Sequence, residues 1–135
     1  MAGYSARSLA DKLGITSGAP LVVVGAPRGY RRILEPLPPR TRIGSRVARG
    51  APWIQLFVTR QAELARRFPV LARALAPAGM LWISWPKASS GVATDLTENV
   101  VRAIGLAERL VDVKVCAVDE TWSGLKFVRR LKDRR

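Results

Sequence analysis

Residues 75–98 read LAPAGMLWISWPKASSGVATDLTE, and their reading decides the fold. Pro77-Ala-Gly79 reads as a turn. Met80–Trp85 is an apolar run of strand length. Lys87–Thr94 is a polar loop leaving the carboxyl end of that strand. A helix then opens near Asp95, with Leu96, Val100 and Ile104 as its apolar stripe and Gly105 near its end. Asp95 with Glu98 three residues on has the form of a capping box, in which an acid at the helix start satisfies free amides.

The same alternation extends in both directions. Upstream, Leu9 and Leu13 mark a short helix stopped by Gly14. Leu21–Val24 is a strand apolar on both faces, as expected inside a parallel sheet. Gly25-Ala-Pro-Arg-Gly29 is a turn, and Tyr30–Glu35 a short helix closed by Pro36, Pro38 and Pro39. Arg42–Val47 is a weak strand and Trp53–Val58 a strong one. Arg60–Leu75 carries Leu64, Phe68, Leu71 and Leu75 on one helical stripe, with Pro69 predicting a kink or two abutting helices. Downstream, Leu110–Val118 alternates, with Val111, Val113, Val115 and Ala117 on one face. Across the Asp119–Gly124 loop, Leu125–Leu131 alternates again, a hairpin. After the first helix the order is β-α-β-β-α-β-α-β-β. It predicts one α/β domain over residues 1–135: a three-layer, Rossmann-like, mostly parallel sheet with a C-terminal antiparallel hairpin added at one edge.

Composition bounds the function. The 135 residues suffice for one core, and 48% of them are apolar, too many for a disordered chain. No apolar run approaches the ~20 residues of a membrane span. The opening MAGYSARSLADKLG lacks the apolar core and cleavage site of a signal peptide. With no histidine and one cysteine, Cys116, the chain has no Ser-His or Cys-His catalysis, no disulfide framework and no usual zinc site. A single cysteine fits a reducing cytoplasm, and Cys116 reads as a small buried hydrophobe. The net charge is +13. Residues 28–73 hold eleven Arg and two acids, residues 84–125 four bases and six acids, and the tail 126–135 six bases and one acid. This balance suits an anionic partner, nucleic acid included, through the Arg-rich half and the tail 129–135. It also suits compositional drift towards arginine on a solvated surface, since 18 of the 23 basic residues are Arg.

The order of elements resembles the Rossmann-like class I methyltransferase fold. The best local match is Leu75-Ala-Pro-Ala-Gly-Met-Leu-Trp-Ile-Ser84, against the L-x-P-G-G-x-L turn those enzymes often place before a strand. The whole chain also resembles a bacterial family known only as domain of unknown function 3052. That likeness rests on Leu13-Gly-Ile15, Ala26-Pro-Arg-Gly-Tyr30, Leu56-Phe-Val-Thr-Arg60, Trp82–Glu98 and Val113–Lys126. It implies a family and no activity. The methyltransferase likeness implies a Gly-rich turn after the first strand and a carboxylate after the second. Here the turn has two glycines around Pro27, and Pro36–Ala62 contains no acid. Both departures argue against S-adenosylmethionine, and no cofactor is expected. The resemblance therefore implies a methyltransferase-like fold with a degenerate site.

Three groups of residues carry candidate chemistry. Lys87, Ser89, Ser90, Gly91 and Thr94 lie where open α/β sheets bind ligands, beyond the carboxyl ends of the strands. They could hold a phosphate or carboxylate, or simply lead into the helix. Asp119, Glu120, Thr121, Trp122 and Ser123 form the loop between the last two strands; Trp122 either packs back over the sheet or offers a stacking face. Asp119 and Glu120 are a weak acid/base signal, as is a Ser-Lys pair at Ser89 or Ser90 with Lys87. Gly25, Arg28 and Gly29 could meet a phosphate at a helix start, or form a plain strand-to-helix turn. The expected function is a non-enzymatic binding or regulatory module for a small anionic ligand or a protein partner, with the two polar loops forming one site. A methyltransferase-like enzyme with an altered cofactor site is the alternative from the enzyme class, and an accessory nucleic-acid binder a third.

Overall fold

A computed structural model describes residues 7–134. The first residues of the stretch read above for a signal peptide, and Arg135 of the basic tail, lie outside them. The elements are α1 (Leu9–Lys12), β1 (Pro20–Val24), α2 (Tyr30–Leu34), β2 (Arg42–Gly44), β3 (Ala51–Phe57), α3 (Gln61–Ala74), β4 (Leu75–Pro86), α4 (Glu98–Ala107), β5 (Leu110–Ala117) and β6 (Trp122–Arg129). Single 3-10 turns sit at Ala88–Ser90 and Leu131–Asp133. The six strands form one sheet in the order β2-β1-β3-β4-β6-β5. The first four are mutually parallel, and β6 runs antiparallel to both β4 and β5. No described helix is long and apolar enough to cross a membrane.

Period-two alternation along β3 and β4 builds two cores, one on each face of the sheet. Ile54, Leu56, Leu81 and Ile83 face α3 and α4, where Leu64, Phe68, Val101, Leu125 and Phe127 complete the cluster. Trp53, Phe57 and Trp82 face the other way, under Leu13 at the exit of α1 and Tyr30 and Leu34 of α2. Both indole N–H groups, of Trp53 and Trp82, donate to the Leu13 carbonyl, at 2.8 and 3.0 Å. One backbone oxygen thus fastens the exit of α1 to two neighbouring strands.

The hairpin adds its antiparallel pair at one edge of the sheet, as expected, with β6 beside β4 and β5 outermost. Leu125 and Phe127 are fully buried, so β6 suits the interior; β5 carries Asp112 and Lys114 and takes the edge. The register of β5 shifts between Asp112 and Lys114, a bulge that turns the following side chains over. Val113 and Val115 therefore stay half exposed, while Cys116 and Val118 are buried. Pro77-Ala-Gly79 is not a free turn. It lies within β4, where residues 76–79 bulge between the Ala51–Leu75 and Trp53–Met80 pairs. Pro69 does not divide α3, which runs unbroken from Gln61 to Ala74. Finally, Trp122–Gly124 belong to β6 rather than to the loop before it.

The capping box is also redrawn. The N-cap of α4 is Thr97, whose Oγ1 accepts from the Val100 N–H at 3.2 Å. Glu98 pairs with Arg102 instead. Asp95 serves another helix: its Oδ1 accepts the Gln61 N–H at 2.7 Å, at the start of α3, where the N-cap Arg60 offers no side-chain bond. Asp95→Ala should therefore cost about 0.5–2 kcal/mol in thermal or urea unfolding, through loss of a cap to α3. Glu98→Ala should cost less, since it breaks only an exposed i,i+4 pair. Equal losses would restore the capping box.

Candidate functional site

Chain reversal sets where a site can lie. From β1 the chain passes through α2 to β2 on one side, then returns to β3 on the other. The carboxyl ends of β1 and its neighbours are thus a topological switch point, where open α/β sheets leave a crevice. A cavity of about 370 Å³ is found beside it, between the β1–α2 turn and the end of β2. Val23, Ile43 and Tyr30 contribute apolar walls; Gly29, Arg31 and Ser45 contribute polar ones. No carboxylate lines it. The residues that follow Ile43 at the end of β2 are Gly44-Ser45-Arg46.

The β1–α2 turn holds the candidates Gly25, Arg28 and Gly29. Gly25 has φ +74°, and a Cβ there would stand 2.7 Å from the Phe57 carbonyl oxygen. Its bare backbone is accounted for by close approach to β3. Gly29 has φ +82° with open space around it, and borders the cavity. Arg28 is exposed. The following helix has only five residues, so few peptide dipoles align behind this turn.

The two polar loops meet. The Lys87 N–H donates to the Thr121 carbonyl at 2.8 Å, extending the pairing of Pro86 with Trp122. Several of the side chains, however, are occupied by the loops' own backbone. Ser90 Oγ donates to the Lys87 carbonyl at 2.7 Å and accepts the Val92 N–H at 3.1 Å. Thr94 Oγ1 donates to the Thr59 carbonyl at 2.6 Å and accepts the Leu96 N–H at 3.0 Å. One oxygen of Asp119 accepts the Thr121 and Trp122 N–H groups, both at 2.8 Å, which fixes the β5–β6 turn. Gly91 has φ +77° and closes the 3-10 turn. Trp122 packs back over the sheet, edge to face with Phe57 at 5.1 Å. Lys87 is half-buried, Ser89 and Glu120 are exposed, and Thr121 and Ser123 are half-buried.

Sequence reading passed over the most distinctive polar group. Gln55 and Ser84 are the two fully buried polar side chains among the described residues. Tyr30 Oη donates to Gln55 Oε1, and Gln55 Nε2 donates to Ser84 Oγ at 3.0 Å. This chain ties α2, β3 and β4 together beside the cavity, whose wall Tyr30 also forms. Burial raises the pKa of the Tyr30 hydroxyl well above that of an ordinary tyrosine. A single amide inside the apolar run Trp53-Ile-Gln-Leu-Phe-Val58 was the available signal, because a buried amide demands partners. Among the described residues, no group of three or more Cys, Asp or Glu side chains is placed to hold a metal.

No protein-family model matches the chain, and no curated protein matches it in sequence. The resemblance to domain of unknown function 3052 thus rests on the strings quoted above. Solved structures do match. A possible exported protein of Bordetella parapertussis superposes with a TM-score of 0.63 at 10% identity, over 90% of this chain and 65% of that one. The chain thus spans just under two thirds of that protein. A SAM-dependent methyltransferase of Aquifex aeolicus gives 0.59 at 13% identity, over 87% and 85% of the two chains. The 1,6-didemethyltoxoflavin-N1-methyltransferase of Burkholderia thailandensis, solved with bound 1,6-didemethyltoxoflavin and S-adenosylhomocysteine, gives 0.58 at 15%, over 90% and 74%. With its antiparallel β6 set inside an otherwise parallel sheet, the chain has the fold of the class I methyltransferases.

Proposed function

We propose that the chain binds a small anionic ligand in the cavity at the carboxyl ends of β1 and β2. The carrying observation is the chemistry of that cavity: apolar walls from Val23, Ile43 and Tyr30, a guanidinium at Arg31, a hydroxyl at Ser45, and no carboxylate. A few polar groups on an apolar wall suit a ligand with an apolar portion and an anionic head group, such as a phosphate monoester. The fold likeness supports the location, since ligands of such sheets bind at the switch point. It does not carry over the ligand. A ribose held by a carboxylate needs an acid near the end of β2, where this chain has Gly44, Ser45 and Arg46. S-adenosylmethionine, itself cationic at sulfur, is disfavoured for the same reason. On this reading Lys87 and Ser89, which do not line the cavity, are not part of the site.

Thermal unfolding with AMP, inorganic phosphate, S-adenosylmethionine and S-adenosylhomocysteine tests the reading. A ligand present at a hundred times its Kd stabilises the native state by about 2.7 kcal/mol. Stabilisation by AMP that is lost in Arg31→Ala is the expected result. Stabilisation by S-adenosylmethionine alone would favour the enzyme reading, a methyltransferase-like catalyst with an altered cofactor site, for which the fold is the support.

A further inference from the structure

A different surface points to a much larger anion. Between residues 28 and 49 the chain has seven arginines, Arg28, Arg31, Arg32, Arg40, Arg42, Arg46 and Arg49, and a single acid, Glu35. Arg31 and Arg32 lie on α2 and Arg42 on β2, an edge strand of the sheet; Arg28 and Arg40 lie in the segments flanking these elements, and Arg46 and Arg49 in the segment that returns from β2 to β3. All seven are exposed. Among the described residues none of the seven forms a salt bridge or donates a side-chain hydrogen bond, whereas Arg67, Arg102 and Arg129 are each bound to the protein itself. Six of the ten acids fall in residues 84–125, which run from the end of β4 into β6 and include β5 at the opposite edge of the sheet. Residues 28–49 thus carry seven basic residues against one acid, whereas residues 84–125 carry four against six.

Arg40 borders a shallow groove with Gly18 and Arg42.

We infer that this arginine ridge on α2, β2 and their flanking turns docks the phosphate backbone of a nucleic-acid duplex. Guanidinium groups pair with phosphates in a bidentate fork and give up little hydration in doing so. The large exposed apolar side chains are all aliphatic, and only Ile33 lies within the ridge. With no exposed aromatic ring among the described residues to stack an unpaired base, the ridge has the chemistry of a backbone reader rather than a single-strand binder. Arg129 and Arg134 of the C-terminal tail are not part of it. Arg129 is turned inward onto the Ala72 and Leu75 carbonyls, and Arg134 onto the Arg129 carbonyl.

The test must separate a ridge from mere net charge. Fluorescence anisotropy with a labelled mixed-sequence DNA duplex of ~20 base pairs compares three forms of the chain. One carries Arg32→Ser, Arg42→Ser, Arg46→Ser and Arg49→Ser. A second loses the same charge elsewhere, through Arg73→Ser, Arg109→Ser, Arg130→Ser and Lys132→Ser. Arg31 stays in both, so failure of the cavity reading and failure of this one are distinguishable. The wild type should bind, and lose on the order of a hundredfold in affinity between about 50 and about 200 mM NaCl. The ridge variant should lose at least tenfold and the charge-matched variant less than about threefold, as phosphate contacts and not net charge decide the affinity. The double reversal Arg42→Glu and Arg46→Glu should reproduce the ridge result should the fourfold variant fold poorly. Equal losses in the two fourfold variants would overturn the inference. So would absence of binding at the lowest salt, tighter binding to the single strand than to the duplex, or tighter binding to phosphatidylserine vesicles than to DNA.

Discussion

Replacing Gly105 by alanine is expected to destabilise the protein by about 1–3 kcal/mol, although alanine is the better helix former. Gly105 lies inside α4 and is buried. In an exposed helix interior, glycine costs about 1 kcal/mol relative to alanine, so the substitution would ordinarily stabilise. Here a Cβ would stand 2.0 Å from Cε1 of Phe127, and 2.5 and 2.6 Å from two further ring atoms. The ring has nowhere to go: Phe127 is fully buried and meets Phe68 edge to face at 5.2 Å. The overlap thus outweighs the gain in propensity. Urea unfolding of Gly105→Ala measures the loss, and Phe127→Leu in the same chain should recover part of it, since neighbours in contact are not additive. A raised midpoint for Gly105→Ala would mean that α4 does not lie on β6 as described.

Gln55→Leu should cost about 2–4 kcal/mol, despite adding an apolar side chain to an apolar layer. The substitution strands Tyr30 Oη and Ser84 Oγ, both in buried residues, and each lost partner costs about 1–3 kcal/mol. Added apolar contact recovers part of that loss. The triple change Gln55→Leu, Tyr30→Phe and Ser84→Ala should be closer to wild type than Gln55→Leu alone, because no polar group is then left without a partner. Tyr30 also brings an alkaline signature. Its folded pKa lies above the ordinary tyrosine value of about 10, chiefly through burial. Its contribution is therefore fully present below about pH 10 and lost as pH rises from there towards the folded pKa. The stability difference between wild type and Tyr30→Phe should shrink above about pH 10. A constant difference would show that the hydroxyl is not buried in the native state.

Much of the architecture was legible along the chain. Leu21–Val24, Trp53–Val58 and Met80–Trp85 announced strands through apolar runs of the right length, and Leu64, Phe68 and Leu71 announced α3 through helical spacing. Those signals are local, and they give the order of six strands and their helices along the chain. The places where reading failed share a cause. Asp95 and Glu98 stand at the spacing of a capping box, yet Asp95 caps a helix that starts 34 residues earlier in the chain. Asp119 looked like a candidate acid, and its oxygen is held by two amides of its own turn. Gly105 looked like punctuation near a helix end, and is a contact with an aromatic ring. In each case a short pattern was compatible with more than one role, and only the folded chain decides which.

What the sequence determined by itself was the kind and order of the elements, the separation of charge into a basic first half and an acidic third quarter, and the exclusion of histidine chemistry. These depend on residue type and on spacing within a few positions, which the linear chain displays in full. Tertiary structure alone decided that β6 lies inside the sheet and β5 at its edge, that Tyr30, Gln55 and Ser84 form one buried chain, that a cavity without a carboxylate opens beside the switch point, and that the seven arginines of residues 28–49 are all exposed. Those facts are pairings between distant segments. They are set by which apolar faces can be buried together and which polar atoms must then find partners, a competition among all segments at once that no window of sequence contains.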